Sequence, residues 1–142
     1  PEEDDFVIPF GEAEIKRAGD DLTIVATSSM VAVALEAAEQ LSAQGLEAEI
    51  VDPRTLVPLD KETLLASVRK TGYAVVIDEG VERFGTTAEL ASLLNAEAFD
   101  YLDAPVLRIG AANVPIPFSP TLEMPTIPNT EQLVETVLSQ RS

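Results

Sequence analysis

Residues Ile50 to Asp60 read IVDPRTLVPLD, and the fold turns on how they are read. Ile50 and Val51 close an apolar strand. Pro53 and Pro58 then forbid regular structure, because each lacks an N–H and drives the preceding residue out of the helical region. Asp60 stands at the N-cap position of a helix whose inner face is Leu64, Leu65 and Val68. Strand, stiff loop and helix make one unit of an α/β fold. The loops that follow the strands of such a sheet are where ligands or neighbouring domains are held.

The same rhythm continues on both sides. Upstream, Leu22 to Ala26 is apolar except for Thr23, as in a strand buried on both faces. Thr27-Ser28-Ser29 is placed to cap a helix from Met30 to Gln44, with Val31, Ala34, Leu35, Ala38 and Leu41 at helical spacing and Gly45 as its stop. A strand over Glu47 to Val51 follows. Further upstream, Gly11 to Arg17 sets Ala13 and Ile15 against Glu12, Glu14 and Lys16, an edge strand with one wet face. Ala18-Gly19-Asp20-Asp21 then predicts a tight turn and a hairpin.

Downstream, the helix Lys61 to Lys70 carries Arg69 and Lys70 at its negative end and stops at Gly72. Tyr73 to Ile77 is a buried strand, after which Asp78-Glu79-Gly80 opens a loop. Thr86 and Glu89 have capping-box spacing ahead of a helix with Leu90, Leu93 and Leu94 inside. Phe99 to Pro105 is a connection and Val106 to Ile109 the last strand. The ribbon Pro115 to Pro128 holds five of the ten prolines and is expected to be extended and irregular. Asn129 to Gln132 cap a final helix that buries Leu133, Val134, Val137 and Leu138. An edge strand and four strands alternating with helices predict a mostly parallel sheet with right-handed crossovers and helices on both faces.

Composition narrows the chemistry. The 142 residues suit one domain, and 25 acids against nine bases give a formal charge of −16. Such a surface repels nucleic acid and anionic membrane and attracts a basic protein. Without Cys there is no disulfide, thiolate metal site or thiol nucleophile, and without His the commonest general base is missing. No apolar run approaches the roughly 18 to 20 residues of a membrane span, and no signal-peptide pattern opens the chain. The segment 1–10, with its acids Glu2 to Asp5 and apolar Phe6 to Phe10, reads as a solvated end and a linker; the absence of an initial Met suggests a fragment or processed product.

The first parallel strand carries neither GxGxxG nor GxxxxGK[ST], so an ordinary nucleotide site is not expected. Ser28 and Ser29 could present N–H groups to an anion, but plain capping is the favoured reading. Asp78 and Glu79 could form a carboxylate pair for acid/base work or a hard cation; the favoured reading is that one meets Arg54 or Arg83 and the other is solvated. Arg54 could grip an anion with its fork. The preferred role is a structural hub joining loops through Asp52, Asp78 or Glu79, with a marked loss of stability expected for Arg54→Ala.

Several blocks then line up with a known family: GDDLTIVATSSMV, VDPRTLVPLD, SVRKTG, VVIDEG with FGTTAEL, FDYLDAPVLRI and VPIPFSPTLE. From Gly11 onward the chain resembles the C-terminal domain of transketolase-like thiamine-diphosphate enzymes. It is most similar to the beta subunit of the decarboxylating component of 2-oxo acid dehydrogenases of the pyruvate, acetoin and branched-chain type. The resemblance implies a three-layer α/β/α fold with a five-stranded, mostly parallel sheet whose first strand is antiparallel, spanning 11–142, with 1–10 as the linker from a pyrimidine-binding domain. It implies that thiamine diphosphate and Mg are bound outside this domain and that the chain alone is inactive as a decarboxylase. The partners it implies are an alpha subunit, a second beta subunit and a basic peripheral-subunit-binding domain of the acyltransferase. For that last partner Asp100 and Asp103, with Glu131, Glu135 and the C-terminal carboxylate, are the docking candidates. Many relatives place a His where Asp78 stands, so no role of that His carries over. The expected compartment is the cytoplasm, or the mitochondrial matrix in a eukaryote. An independent small-ligand or anion-binding domain using Ser28, Arg54 and Gly80 is the alternative.

Overall fold

The computed structural model describes residues 7–140; the acids Glu2 to Asp5 and the C-terminal carboxylate lie outside the described residues. Five strands, β1 (Glu14–Arg17), β2 (Leu22–Ala26), β3 (Ala48–Asp52), β4 (Ala74–Val81) and β5 (Leu107–Ala111), form one sheet in the order β1-β3-β2-β4-β5. β1 runs antiparallel to β3 and the remaining pairs are parallel. The helices are α1 (Met30–Ser42), α2 (Lys61–Thr71), α3 (Thr86–Glu97), the short α4 (Pro120–Glu123) and α5 (Thr130–Gln140).

Alternation along the strands divides the core between two faces. Leu22, Ile24 and Ala26 of β2 join Ile50, Ile77 and Ile109 under α1 and α5, where Leu41, Leu133 and Val137 are buried. Val25, Val51 and Val76 point the other way, against Leu64, Leu65 and Val68 of α2 and Leu90 and Leu94 of α3. Helices on both faces make the three-layer α/β/α arrangement. Each fully buried Leu or Ile contributes about 1.5–3 kcal/mol of apolar burial. The one polar side chain inside β2, Thr23, is satisfied by Ser67 (2.7 Å) and Thr71 (2.8 Å) of α2. Asp60 caps α2 as expected, accepting from the Thr63 N–H, and Gly72 ends the helix at φ 72°. Asn129 caps α5, its Oδ1 accepting from the Gln132 N–H at 2.9 Å.

Several expectations are corrected. The turn after β1 makes no hairpin: both edges of β2 are taken by parallel partners, and β1 lies on the outer edge of β3. Gly19 allows this, since a Cβ there would run into the Ala48–Glu49 backbone. β4 does not stop at Ile77 but continues through Asp78, Glu79 and Gly80 to Val81. Ser29 makes no side-chain cap on α1, and the Thr86–Glu89 capping box does not form, because Thr86 is already inside α3 and Gly85 is its N-cap. The proline ribbon is not wholly extended: α4 and a 3-10 turn at Met124–Thr126 interrupt it, with Pro120 first in α4 and Pro125 second in the turn, positions that suit the first turn of a helix.

Candidate functional site

The parallel strands all deliver their C-terminal ends to one end of the sheet. β2 has β3 on one side and β4 on the other, so the crevice between β2 and β4 is the point where doubly wound sheets commonly hold ligands. Among the described residues, three that are not glycine adopt the left-handed conformation, and all three follow strands at this end: Ser28 (φ 51°) after β2, Arg54 (φ 56°) after β3 and Phe84 (φ 59°) after β4. Strained backbone of this kind concentrates at functional positions.

The crevice itself is occupied by the protein's own carboxylates. The Thr27 hydroxyl donates to Asp78, and the Ser28 and Ser29 hydroxyls both donate to Glu79, the former at 3.0 Å. Asp78 also accepts the Gly80 N–H at 2.6 Å. The hydroxyls expected to cap α1 therefore tether β4 to β2 instead, and Glu79 takes the place an anion would have at the start of the helix. A diphosphate or any other anion would meet Asp78, Glu79 and Asp52 here. The residues present do not fit a phosphate-bearing cofactor, and among the described residues no cluster of acids suits a metal ion.

Arg54 does not neutralise these carboxylates. Its guanidinium donates to Glu14 of β1 at 2.6 Å, and its backbone N–H donates to Asp52 at 2.9 Å. Glu14 is held below the usual carboxylate range by hydrogen bonds from Lys16 and Arg54. The expected hub of Arg54 with Asp52, Asp78 and Glu79 is corrected to an Arg54–Glu14 pair that fastens the loop after β3 to the edge strand. Arg54, Asp52 and Asp78 nevertheless line one cleft of about 280 Å3, next to a second of about 390 Å3 where Ile8 and Phe10 lie over Thr55.

The other feature of this end is exposed apolar surface. Phe84 and Phe118 are fully exposed (102% and 103%), with Val57 at 92% and Phe10 at 84%; Leu56, Val114, Ile116, Leu122 and Met124 follow the same strands and are exposed as well. Scattered apolar residues are ordinary on a surface, and Phe99 (74%) and Tyr101 (55%) are exposed at the opposite end, but the group at this end is the larger.

The docking candidates lie elsewhere. Asp100 and Asp103 are exposed in the connection that leads into β5, and the Asp103 N–H donates to the Gly72 carbonyl just ahead of β4. That is the opposite end of the sheet. Asp103 makes no side-chain cap before Pro105; its carboxylate lies over Gly72. Arg69 stacks beside it on the Tyr101 ring, 5.5 Å from the centroid. Glu131 and Glu135 are exposed on α5, whose far end reaches the same connection through the bond from the Gln140 side chain to the Pro105 carbonyl at 2.9 Å.

The Transketolase, C-terminal domain model matches residues 11–133. The chain belongs to that family. It is 45% identical over 136 residues to the acetoin:2,6-dichlorophenolindophenol oxidoreductase beta subunit of Bacillus subtilis, covering 96% of this chain and 40% of that protein. It is 46% identical over 129 residues to the mitochondrial pyruvate dehydrogenase E1 component subunit beta-1 of Arabidopsis thaliana, covering 91% of this chain and 36% of that one. Among solved structures, the "split gene transketolase, inactive beta4 tetramer" superposes with a TM-score of 0.77 at 31% identity, covering 96% of this chain and 43% of that one. The chain thus spans about two-fifths of the relatives it matches, in line with the fold anticipated from its sequence. Among the described residues no helix is long and apolar enough to cross a membrane.

Two features escaped sequence reading. Glu49, in the middle of β3, is buried and paired with Lys70 of α2; a charged residue inside an apolar strand is the signal that could have revealed it. Phe84, in the loop after β4, gave no such signal, because its exposure depends on a left-handed turn that the letters do not announce.

Proposed function

We propose that this chain is the C-terminal assembly domain of the beta subunit of a thiamine-diphosphate-dependent 2-oxo acid dehydrogenase, acting on pyruvate, acetoin or a branched-chain oxo acid. The observation that carries this is the bare apolar end of the sheet. A domain with two complete cores has no internal use for exposed Phe10, Val57, Phe84 and Phe118, whereas a domain seated on other parts of a larger enzyme does. On this reading residues 1–10 join it to a pyrimidine-binding domain, and an alpha subunit and a second beta subunit complete the assembly. The carboxylate-filled crevice supports holding the cofactor and its Mg elsewhere in the enzyme.

The opposite end of the sheet is then free for the acyltransferase. Asp100 and Asp103 there offer carboxylates to a basic binding domain; Glu131, at the start of α5 beside the Gln132 that lines a cleft with Ala111 and Thr126, belongs to the other end of the sheet. The compartment that follows is the cytoplasm, or the mitochondrial matrix in a eukaryote.

Isothermal titration separates this reading from that of an independent ligand-binding domain. The isolated chain is expected to give no binding heat with thiamine diphosphate, pyruvate or a branched-chain oxo acid and no dye reduction. Saturable binding of any of them would move the assignment to a ligand-binding domain.

A further inference from the structure

From Asp52 to Asp60 the chain carries four polar side chains, and three of them reach back to the start of the domain. The Thr55 hydroxyl accepts the Gly11 N–H at 2.9 Å and donates to the Pro58 carbonyl at 2.7 Å, so its donor and acceptor roles are both fixed. The Asp60 Oδ2 accepts the Ala13 N–H at 2.9 Å, and the Thr63 N–H (3.1 Å) and hydroxyl (2.7 Å) hold that carboxylate in place. The Arg54 guanidinium donates to Glu14 at 2.6 Å. The fourth side chain, Asp52, accepts the Arg54 N–H at 2.9 Å and stiffens the loop itself.

Two of these bonds lie where strand pairing has stopped. The ladder between β1 and β3 starts at Glu14, opposite Asp52. Gly11 and Ala13 are upstream of it and are held by side chains, not by a neighbouring strand. Gly11 turns the chain at φ 78°, and a Cβ there would come within 3.0 Å of the Pro58 ring, so the turn is seated on the same loop. Just before it, Ile8, Pro9 and Phe10 pass beside Ser28, Asp52, Arg54 and Thr55 at the apolar end of the sheet. An edge strand needs only its ladder, and a segment that leads into a domain is ordinarily loose.

We propose that the loop after β3 is a buckle that makes residues 11–14 a rigid joint and fixes the direction in which the preceding polypeptide enters this domain, over the C-terminal end of the sheet. That this polypeptide is itself a folded domain rests on the assembly reading above; the buckle does not. Domains joined by a short segment move relative to one another by default. Here three side chains of one loop fasten three of four consecutive residues and remove that freedom at the point of entry. Pro53 and Pro58, each with φ locked by its ring, give the loop the stiffness such a joint needs. Thr55 and Asp60 are positioning residues, acting through the backbone they hold.

Backbone amide relaxation and hydrogen exchange of the chain, read by NMR, test this. The Gly11 and Ala13 amides are expected to show order parameters of about 0.85, as for rigid backbone, and protected exchange. Thr55→Val removes the hydroxyl. The Gly11 order parameter should then fall below about 0.6 and its exchange quicken by about two- to tenfold, as for the loss of one hydrogen bond, while the core amides of β2 keep their protection. Thr55→Ser retains the hydroxyl and should behave as the unaltered chain. Chymotrypsin should cut after Phe10 faster in Thr55→Val than in Thr55→Ser, because cleavage follows local opening. A Gly11 as mobile in the unaltered chain as a free end, or as rigid in Thr55→Val as before, overturns the buckle. So does a Thr55→Val change that quickens β2 as much as Gly11, which is general destabilisation. All of these readouts concern the chain alone, so the buckle and the assembly reading fail separately.

Discussion

The Arg54 guanidinium is held by Glu14 at 2.6 Å, across the gap between the loop after β3 and the edge strand. Both groups keep contact with water, so the pair steadies the loop more than it stabilises the domain. Arg54→Ala is expected to shift the melting temperature only slightly, against the marked drop foreseen for a buried hub. Arg54 sits at φ 56°, so Arg54→Gly should exceed Arg54→Ala in stability by about 1 kcal/mol. Urea unfolding of the two variants side by side reads that difference.

Glu49 and Lys70 behave differently. The Glu49 side chain is 3% exposed and that of Lys70 41%. Burial pushes the Glu49 carboxyl up, yet hydrogen bonds from Lys70 and Ser67, with the Lys70 charge, bring it to a net value below normal. The Lys70 ammonium is raised, chiefly by its hydrogen bond to Glu49. Lys70→Met leaves the carboxylate buried without its cation. It should cost about 2 kcal/mol, less than the about 3–5 kcal/mol of a fully buried pair because Lys70 retains solvent. Glu49→Gln in the Lys70→Met background should recover part of the loss, measured by urea unfolding.

Asp60 sets an acid limit on stability. The N–H of Ala13 donates to its Oδ2 at 2.9 Å, and Thr63 donates through its side chain and its N–H. These bonds, that from Ala13 first, hold the Asp60 carboxyl below the usual range. A depressed folded-state value gives stability that is full above the unfolded value, about 3.9 for Asp, and is lost as pH falls through the folded one. Glu49 acts in the same direction. Unfolding midpoints should therefore be level near neutrality and fall below about pH 4. Asp60→Ala should lower the neutral value by about 1–2 kcal/mol and flatten the acid slope.

How much of this was legible in the letters depends on the range of the interaction. Asp60, Gly72 and Asn129 announce helix ends through local chemistry, and each stands where it was expected, whereas α1 ends at Ser42, two residues short of the expected Gln44, with Gly45 in the turn beyond it at φ 82°. The antiparallel pairing of β1 with β3 joins residues as far apart in the chain as Glu14 and Asp52, and only the resemblance, not the turn residues after β1, pointed to an antiparallel first strand. At the strand ends the residue types were right and the partners wrong. Ser28, Ser29 and Thr27 are good caps in isolation, but β4 runs four residues further than its apolar run, bringing Asp78 and Glu79 within reach of their hydroxyls. The hydroxyls donate to these two carboxylates, and the Ser29 oxygen accepts from no N–H of α1. Arg54 followed the same logic in reverse, bonding to Glu14, which its own loop places beside it.

The docking acids make a salt-dependent prediction. Asp100 and Asp103 are exposed, so any attraction they exert on a basic binding domain is screened beyond about 8 Å at physiological ionic strength. Surface plasmon resonance of the cognate binding domain should show affinity falling steeply from low to high salt, and Asp103→Asn should weaken binding at low salt. Affinity independent of salt, or full binding by Asp103→Asn, would remove Asp103 from the interface.

The most direct test of the assembly role is a graft. The matching segment of the Bacillus subtilis acetoin oxidoreductase beta subunit is replaced by this chain, and the hybrid is produced with its alpha subunit. Size-exclusion chromatography with light scattering then reads the assembly, and dichlorophenolindophenol reduction reads the activity. The account predicts that the hybrid assembles and reduces the dye, and that Val57→Asp with Phe10→Asp at the apolar end of the sheet abolishes assembly while the isolated chain carrying the same changes melts as before. A hybrid that remains unassembled, or one whose assembly ignores those two substitutions, would contradict it.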